Sequence, residues 1–192
     1  IKNSIDISKK LGAKKFAFHA GFFIHVTPRE IGKKISKVAI FDRTKSMNRF
    51  IESYKRLQDY AGELDLYIEN NVYSKSNYQN FDGKNIFMLT NFDDYLELKS
   101  KLDFNFLLDV AHLKVSCKTL GIEFLPHLES LFNITEYVHV SDNDNLHDNN
   151  DPISLDSEFL NIFKTKNSKV KSYTLEVYSS IAHIKDSYNI LT

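Results

Sequence analysis

Short apolar runs alternate along this chain with longer stretches in which apolar residues recur every three to four positions. The runs are 15–19 (KFAFH), 64–69 (LDLYIE), 104–109 (FNFLLD), 137–141 (YVHVS) and 173–177 (YTLEV). Each has the length of a strand and is apolar enough to be buried on both faces, as strands of a parallel sheet are. The stretches between them read as helices. Met47, Phe50, Ile51, Tyr54, Leu57 and Tyr60 form a stripe of period 3.6 across residues 46–62, and Gly62 is placed as its C-terminal stop. Asn91 is a cap for a helix over 91–100, residues 154–163 and 179–191 are predicted to be helical as well, and Ile5, Ile7 and Leu11 suggest a helix at the start. Pro28, Pro126 and Pro152 fall where loops or first helical turns are expected. Strands alternating with helices predict βαβ units, hence an α/β fold with a parallel sheet, in one domain over 1–192.

Composition narrows the classes without choosing among them. The 25 basic and 25 acidic side chains balance, so there is no general basic field for nucleic acid, which argues against a nucleic-acid partner. No run reaches the roughly 18 to 20 apolar residues that span a bilayer, and the first residues lack a signal-peptide pattern; the reading is a cytoplasmic protein without a membrane partner. Cys117 is the single cysteine, so an internal disulfide and a thiolate metal site are both excluded, and the thiol is expected buried on a helix.

The chemistry collects at the ends of the runs. His19, Glu69, Asp109, His139 and Glu176 each stand at or next to the C-terminal end of one of them. In a parallel barrel those ends share the face on which active sites are built. A lone His or Glu at such a place is usually structural, so the inference rests on the set. Glu69, Asp109, His139 and Glu176 make a mixed nitrogen and oxygen site of net negative charge. It suits one divalent metal (Mn, Co, Zn or Mg), with no organic cofactor implied.

The segments FAFHAG (16–21), LYIENN (66–71), LLDVAH (107–112), HVSDND (139–144) and LEV (175–177), in this order, resemble the last five strands of the xylose isomerase-like TIM barrel superfamily. That group includes sugar-phosphate isomerases and epimerases and the endonuclease IV enzymes (AP endonuclease family 2). The resemblance implies a (β/α)8 barrel present only in part, with three further strands, on the order of 80 residues, expected before Ile1. A homodimer covering the open edges is a further expectation. The isomerase branch implies Glu69, Asp109, His139 and Glu176 as ligands of a single metal, with Glu69 and Glu176 as the acid and base pair. His19, His112, Asp142 and Asp148 are then candidates for substrate binding or a second metal.

The same resemblance leaves two alternatives. An endonuclease IV-type enzyme would hold three zinc ions, with His19 and His112 among the ligands, but Asn150 stands where that branch has a histidine and the glycines after it are absent. The other alternative is a barrel remnant that binds a carbohydrate or a protein and catalyses nothing. The expected substrate of the leading reading is a small sugar or sugar phosphate. Asn70 and Asn71 read as a cap or turn, and the lysines at 33, 34 and 37 as solvated helix faces.

Overall fold

The computed structural model describes residues 1–31, 33–164 and 169–192. Strands β1 (Lys15–His19), β2 (Asp65–Glu69), β3 (Asn105–Asp109), β4 (Tyr137–Val140) and β5 (Ser172–Leu175) lie side by side in chain order, and every neighbouring pair is parallel. Helix α1 (Lys2–Lys10) precedes β1, and α2 (Arg43–Ala61) leads into β2. Next come α3 (Lys75–Asn80) and α4 (Phe92–Lys99) before β3, then α5 (Val110–Leu120) and α6 (Phe124–Phe132) before β4. Helix α7 (Leu160–Phe163) precedes β5 and α8 (Ile181–Leu191) follows it. The five predicted strands are all present, with ends within two residues of the expected ones.

The sheet is strongly curled. Lys15 on the first strand donates from Nζ to Ser172 Oγ on the last at 2.8 Å, and its ammonium sits over the rings of Tyr67 and Tyr137 on the way. In a flat sheet those outer strands would stand about 19 Å apart, at about 4.8 Å per step. The result is a half-barrel with β1 and β5 at its edges among the described residues.

Alternation along the strands separates two environments. Phe16, Phe18, Leu66, Ile68, Phe106, Leu108, Val138 and Val140 face the helices and form the main core with Met47, Tyr54, Leu113 and Leu128. The intervening positions point into the curl and are mostly polar. The helices start and stop where side chains or glycine allow. Asp42, Asn91 and Ser180 accept from backbone amides at the starts of α2, α4 and α8, and Gly62 ends α2 with a φ of 63°. At Gly21 a side chain is excluded by packing, since a Cβ would stand 2.8 Å from the Phe50 ring and 2.9 Å from Met88 Sδ.

One predicted helix is shortened, and α3, α5 and α6 carry no predicted bounds, although Cys117 was expected on a helix. The predicted helix over 154–163 survives only as α7, because Ser154 and Ser157 bond locally to backbone amides and hold the first half in turns. Conversely, α5 has no polar face to betray it: residues 110 to 117 are all buried, so it shows no amphipathic period. Cys117 lies on it, and burial pushes its thiol up to about 12. Among the described residues no helix is long and apolar enough to cross a membrane.

Candidate metal centre

Register brings the strand-end side chains together. His19 is level with Glu69, Glu69 with Leu107, Asp109 with His139, and His139 with Thr174. Asp109 is two residues beyond Leu107 and Glu176 two beyond Thr174, so the period of two keeps all five functional side chains on the inner face. Glu176 continues the ladder past β5, its amide donating to the Val140 carbonyl at 3.1 Å.

Glu69, Asp109, His139 and Glu176 each offer one ligand atom, and these atoms lie within 4.8 Å of one another. His139 Nδ1 is 3.0 Å from Glu176 Oε1, 3.3 Å from Glu69 Oε1 and 4.0 Å from Asp109 Oδ2. Yet that buried nitrogen makes no aligned hydrogen bond with any of them. Three carboxylate oxygens and one imidazole nitrogen converging on a common point, without bonding one another, is the donor set of a hard or borderline divalent cation. The residues present therefore fit a metal.

The charges of the cluster act on one another. Burial works to lower the His139 imidazole, but Glu176 and Glu69 outweigh it and push it up to about 10. Burial would raise the Glu69 carboxyl, but the nearness of His139, His19 and His112 keeps it below its ordinary value. Asp109 is pushed up to about 7, first by burial and then by the Glu69 and Asp148 carboxylates, against the pull of His112.

A second group overlaps the first through Glu69. His19, Glu69 and His112 also place ligand atoms within 4.8 Å of one another. His19 Nδ1 is 4.0 Å from Glu69 Oε2, and the two imidazole rings are 5.4 Å apart. His112 differs from His139 in being fully engaged. Its Nδ1 lies 2.9 Å from the Asn70 carbonyl and its Nε2 3.1 Å from Asp148 Oδ2. Two acceptors require a proton on each nitrogen, which is an imidazolium. Burial opposes that charge, but Asp109, Asp148 and Glu69 outweigh it and raise the His112 pKa well above its ordinary value. His19, with no such bond, is lowered by burial.

The D-x-x-H spacing has a local cause. Asp109 caps α5: its Oδ1 accepts from the His112 amide at 2.7 Å, while Oδ2 faces His139. One aspartate thus starts the helix that carries His112 and also joins the cluster. Asn70 locks β2 to β3, donating to the Asp109 carbonyl at 2.9 Å and accepting from the Asp109 amide at 2.7 Å. Asn71 donates to the carbonyls of Ala20 and Met88. The asparagines expected to cap or turn the chain are instead buried latches between strand ends.

Two predicted residues from the loop after β4 part company. Asp148 reaches His112. Asp142 stands outside both clusters: its Oδ1 is bonded to Lys114 Nζ at 2.6 Å and its Oδ2 to Ser157 Oγ at 2.5 Å. Its carboxylate is held by a buried ammonium and a hydroxyl rather than by the strand-end groups. Lys114 also donates to the Asn143 carbonyl at 3.0 Å, and Asp142 and Asp151 exchange backbone bonds that close the loop. This buried network, which no motif announces, carries Asp148 to its place. Asn150, where the nuclease branch has a histidine, has a φ of 53° and accepts from Ser141 Oγ.

No protein-family model and no curated protein matches the sequence. Among solved structures, the fold is similar to that of the TTHB071 protein from Thermus thermophilus, determined after soaking with ZnCl2. The TM-score is 0.58 and the identity 15%, over 98% of this chain and 66% of that one. It is similar also to apo 3-keto-D-glucoside 4-epimerase, YcjR, from E. coli, with a TM-score of 0.62 and 13% identity, over 99% of this chain and 68% of that one. The chain spans about two thirds of the length of each. At such identities the likeness is one of fold.

Proposed function

We propose that the chain is a xylose isomerase-like barrel acting as a metal-dependent isomerase or epimerase of a small sugar or sugar phosphate. The observation that carries this reading is the convergence of Glu69, Asp109, His139 and Glu176, from four adjacent strands, around a buried imidazole nitrogen that no hydrogen bond satisfies. The epimerase among the structures of similar fold supports it.

A divalent ion held by these four residues would polarise a substrate carbonyl and its neighbouring hydroxyl and acidify the C–H between them. Glu69 and Glu176 are the carboxylates in reach of that proton. Glu176 lines the cavity with its side chain 24% exposed. Return of the proton to the opposite face gives an epimer, and return to the adjacent carbon gives an isomer. The His112 imidazolium, fixed by Asn70 and Asp148, would add positive charge to the wall of the cavity in which the substrate would sit.

The test is solvent-deuterium exchange at the carbon beside the carbonyl, across ketoses, aldoses and their phosphates. Exchange that needs added metal and disappears in Glu176→Gln supports the reading. Metal bound with no exchange for any sugar removes it. The His19, Glu69 and His112 group keeps a second reading open, a multi-metal nuclease of the endonuclease IV type. Two or three zinc ions per chain, with cleavage beside abasic sites, would establish that reading instead.

A further inference from the structure

The cluster opens into a cavity of about 720 Å³, within the range of small-molecule sites. Its walls differ in charge. Glu69, Asp148 and Glu176 contribute carboxylates from the strand ends and the loop after β4, whereas Lys33, Lys34 and Lys75 contribute ammonium groups from elsewhere. These lysines are exposed, and among the described residues none has a carboxylate within 4.0 Å. Lys33 and Lys34, expected on a solvated helix face, stand instead in an irregular segment.

That segment is built in place. Buried Asn77 accepts from the Ile35 amide at 2.9 Å and donates to the Lys33 carbonyl at 3.2 Å, and Asn80 donates to the Ile35 carbonyl at 2.7 Å. Ile35 itself is buried in a small core with Tyr73, Phe81 and Ile86. The two amides therefore tie residues 33–35 to α3, whose first residue is Lys75, beside the hydroxyls of Ser74 and Ser76. With no carboxylate within 4.0 Å of these ammonium groups among the described residues, an anion entering the cavity would meet positive charge not already held in an ion pair.

We propose that Lys33, Lys34 and Lys75 form an anion subsite, and that the sugar handled at the strand-end cluster carries a phosphate which these lysines hold. The proposal rests on the sugar reading above for the identity of the substrate and on the cavity alone for the subsite. Its sense is that one end of the ligand meets the carboxylates and the other end meets the lysines. A neutral sugar would leave the lysine end unused.

The experiment is a binding titration on the full chain, first metal-free so that phosphate cannot report on a bound ion, then with added Zn2+ or Mg2+ so that sugar binding is tested under the conditions the sugar reading requires. The probes are inorganic phosphate, a set of ketopentoses and ketohexoses, and their terminal phosphates. Binding is read by 31P and 1H NMR at low and high salt. The variants are Lys33→Gln/Lys34→Gln/Lys75→Gln together and, as a second construction of the same test, Lys34→Glu and Lys75→Glu singly. All three positions are exposed, and circular dichroism checks that each variant keeps the fold.

The expected result is a phosphorylated sugar bound at least about tenfold more tightly than its parent. That advantage should vanish in the triple variant and shrink with added salt. Inorganic phosphate bound through the lysines while no sugar binds, even with added Zn2+ or Mg2+, would keep the subsite and remove the sugar reading. Sugars bound equally well with and without phosphate would remove the subsite and leave the sugar reading standing. No difference between the natural chain and the variants for any phosphate-bearing probe would overturn the proposal outright.

Discussion

The two overlapping groups at the strand ends share Glu69 and differ in what their histidines do. His139 sits among three carboxylates with Nδ1 unsatisfied, whereas His112 has a partner on each nitrogen. Both imidazoles are raised by neighbouring carboxylates. The contrast lies in geometry rather than in charge. Oxygens gathered around a nitrogen but not aligned with it leave room for a cation, while oxygens aligned with both nitrogens hold a proton on each. One histidine is arranged as a ligand and the other as a fixed positive charge.

The largest effect that tests this contrast is loss of metal. His139→Ala and Asp109→Asn each remove one of four ligands and are expected to weaken metal affinity by more than about 100-fold, beyond the usual effect of changing a ligand's hydrogen-bond partner. His112→Gln should leave the stoichiometry unchanged. Elemental analysis after dialysis against a weak chelator reads all three, and equal losses in the two histidine variants would erase the distinction drawn between them.

Next in size is Lys114→Met. Its side chain is 7% exposed and paired with Asp142, and removing one partner of a buried ion pair typically costs about 3–5 kcal/mol. Chemical denaturation measures the loss. A metal-dependent stabilisation that survives in this variant would show that the strand-end cluster is independent of the loop that carries Asp148. A loss under about 1 kcal/mol would mean that the network contributes little.

Proton release comes third. In the metal-free chain the His139 pKa is about 10, so at pH 7–9 the imidazole holds a proton that a metal must displace. Metal affinity should therefore rise about tenfold per pH unit across this window, and more steeply below pH 7, where Asp109, at about 7, binds a further proton. Calorimetry in buffers of different ionisation enthalpy should find about one proton released per metal at pH 8. Zero release would mean that no proton on His139 is displaced by the metal at this pH, which overturns the raised imidazole or its ligation.

The smallest effect expected is that of Asp148→Asn. It removes a carboxylate that raises His112, so the imidazole should titrate lower than in the natural chain, as NMR of the ring C–H would show. A raised folded-state pKa contributes stability that is full below the unfolded value of about 6.5 and is lost as pH rises through the folded value. The variant should accordingly be less stable at low and neutral pH and converge with the natural chain in alkali.

The elements and the ligands differ in how legible they were. Strands showed as apolar runs because their helix-facing side chains pack into the main core, and α2 showed because one of its faces meets water. The bounds of α5 did not, since residues 110–117 are all buried. Residues 154–163 misled because serine side chains compete for backbone amides that a helix would use. Of the site, Glu69, Asp109, His139 and Glu176 were visible as polar endings of apolar runs. The latch formed by Asn70, the Lys114 pair with Asp142 and the lysines at 33, 34 and 75 were not, because nothing in their local spacing says what lies across from them.

The sequence by itself determined the alternation of strands and helices and the residue types at the strand ends, because period and burial are written locally. Only the tertiary structure decided which of those residues meet. Strand register and the curl of the sheet bring together atoms more than 100 positions apart in the chain, from Glu69 to Glu176. The same folding turned Asp142 toward Lys114 instead of the cavity and gave His139 an unsatisfied nitrogen while satisfying both of those on His112. Contacts of that kind follow from the simultaneous packing of distant segments, which no window of residues encodes.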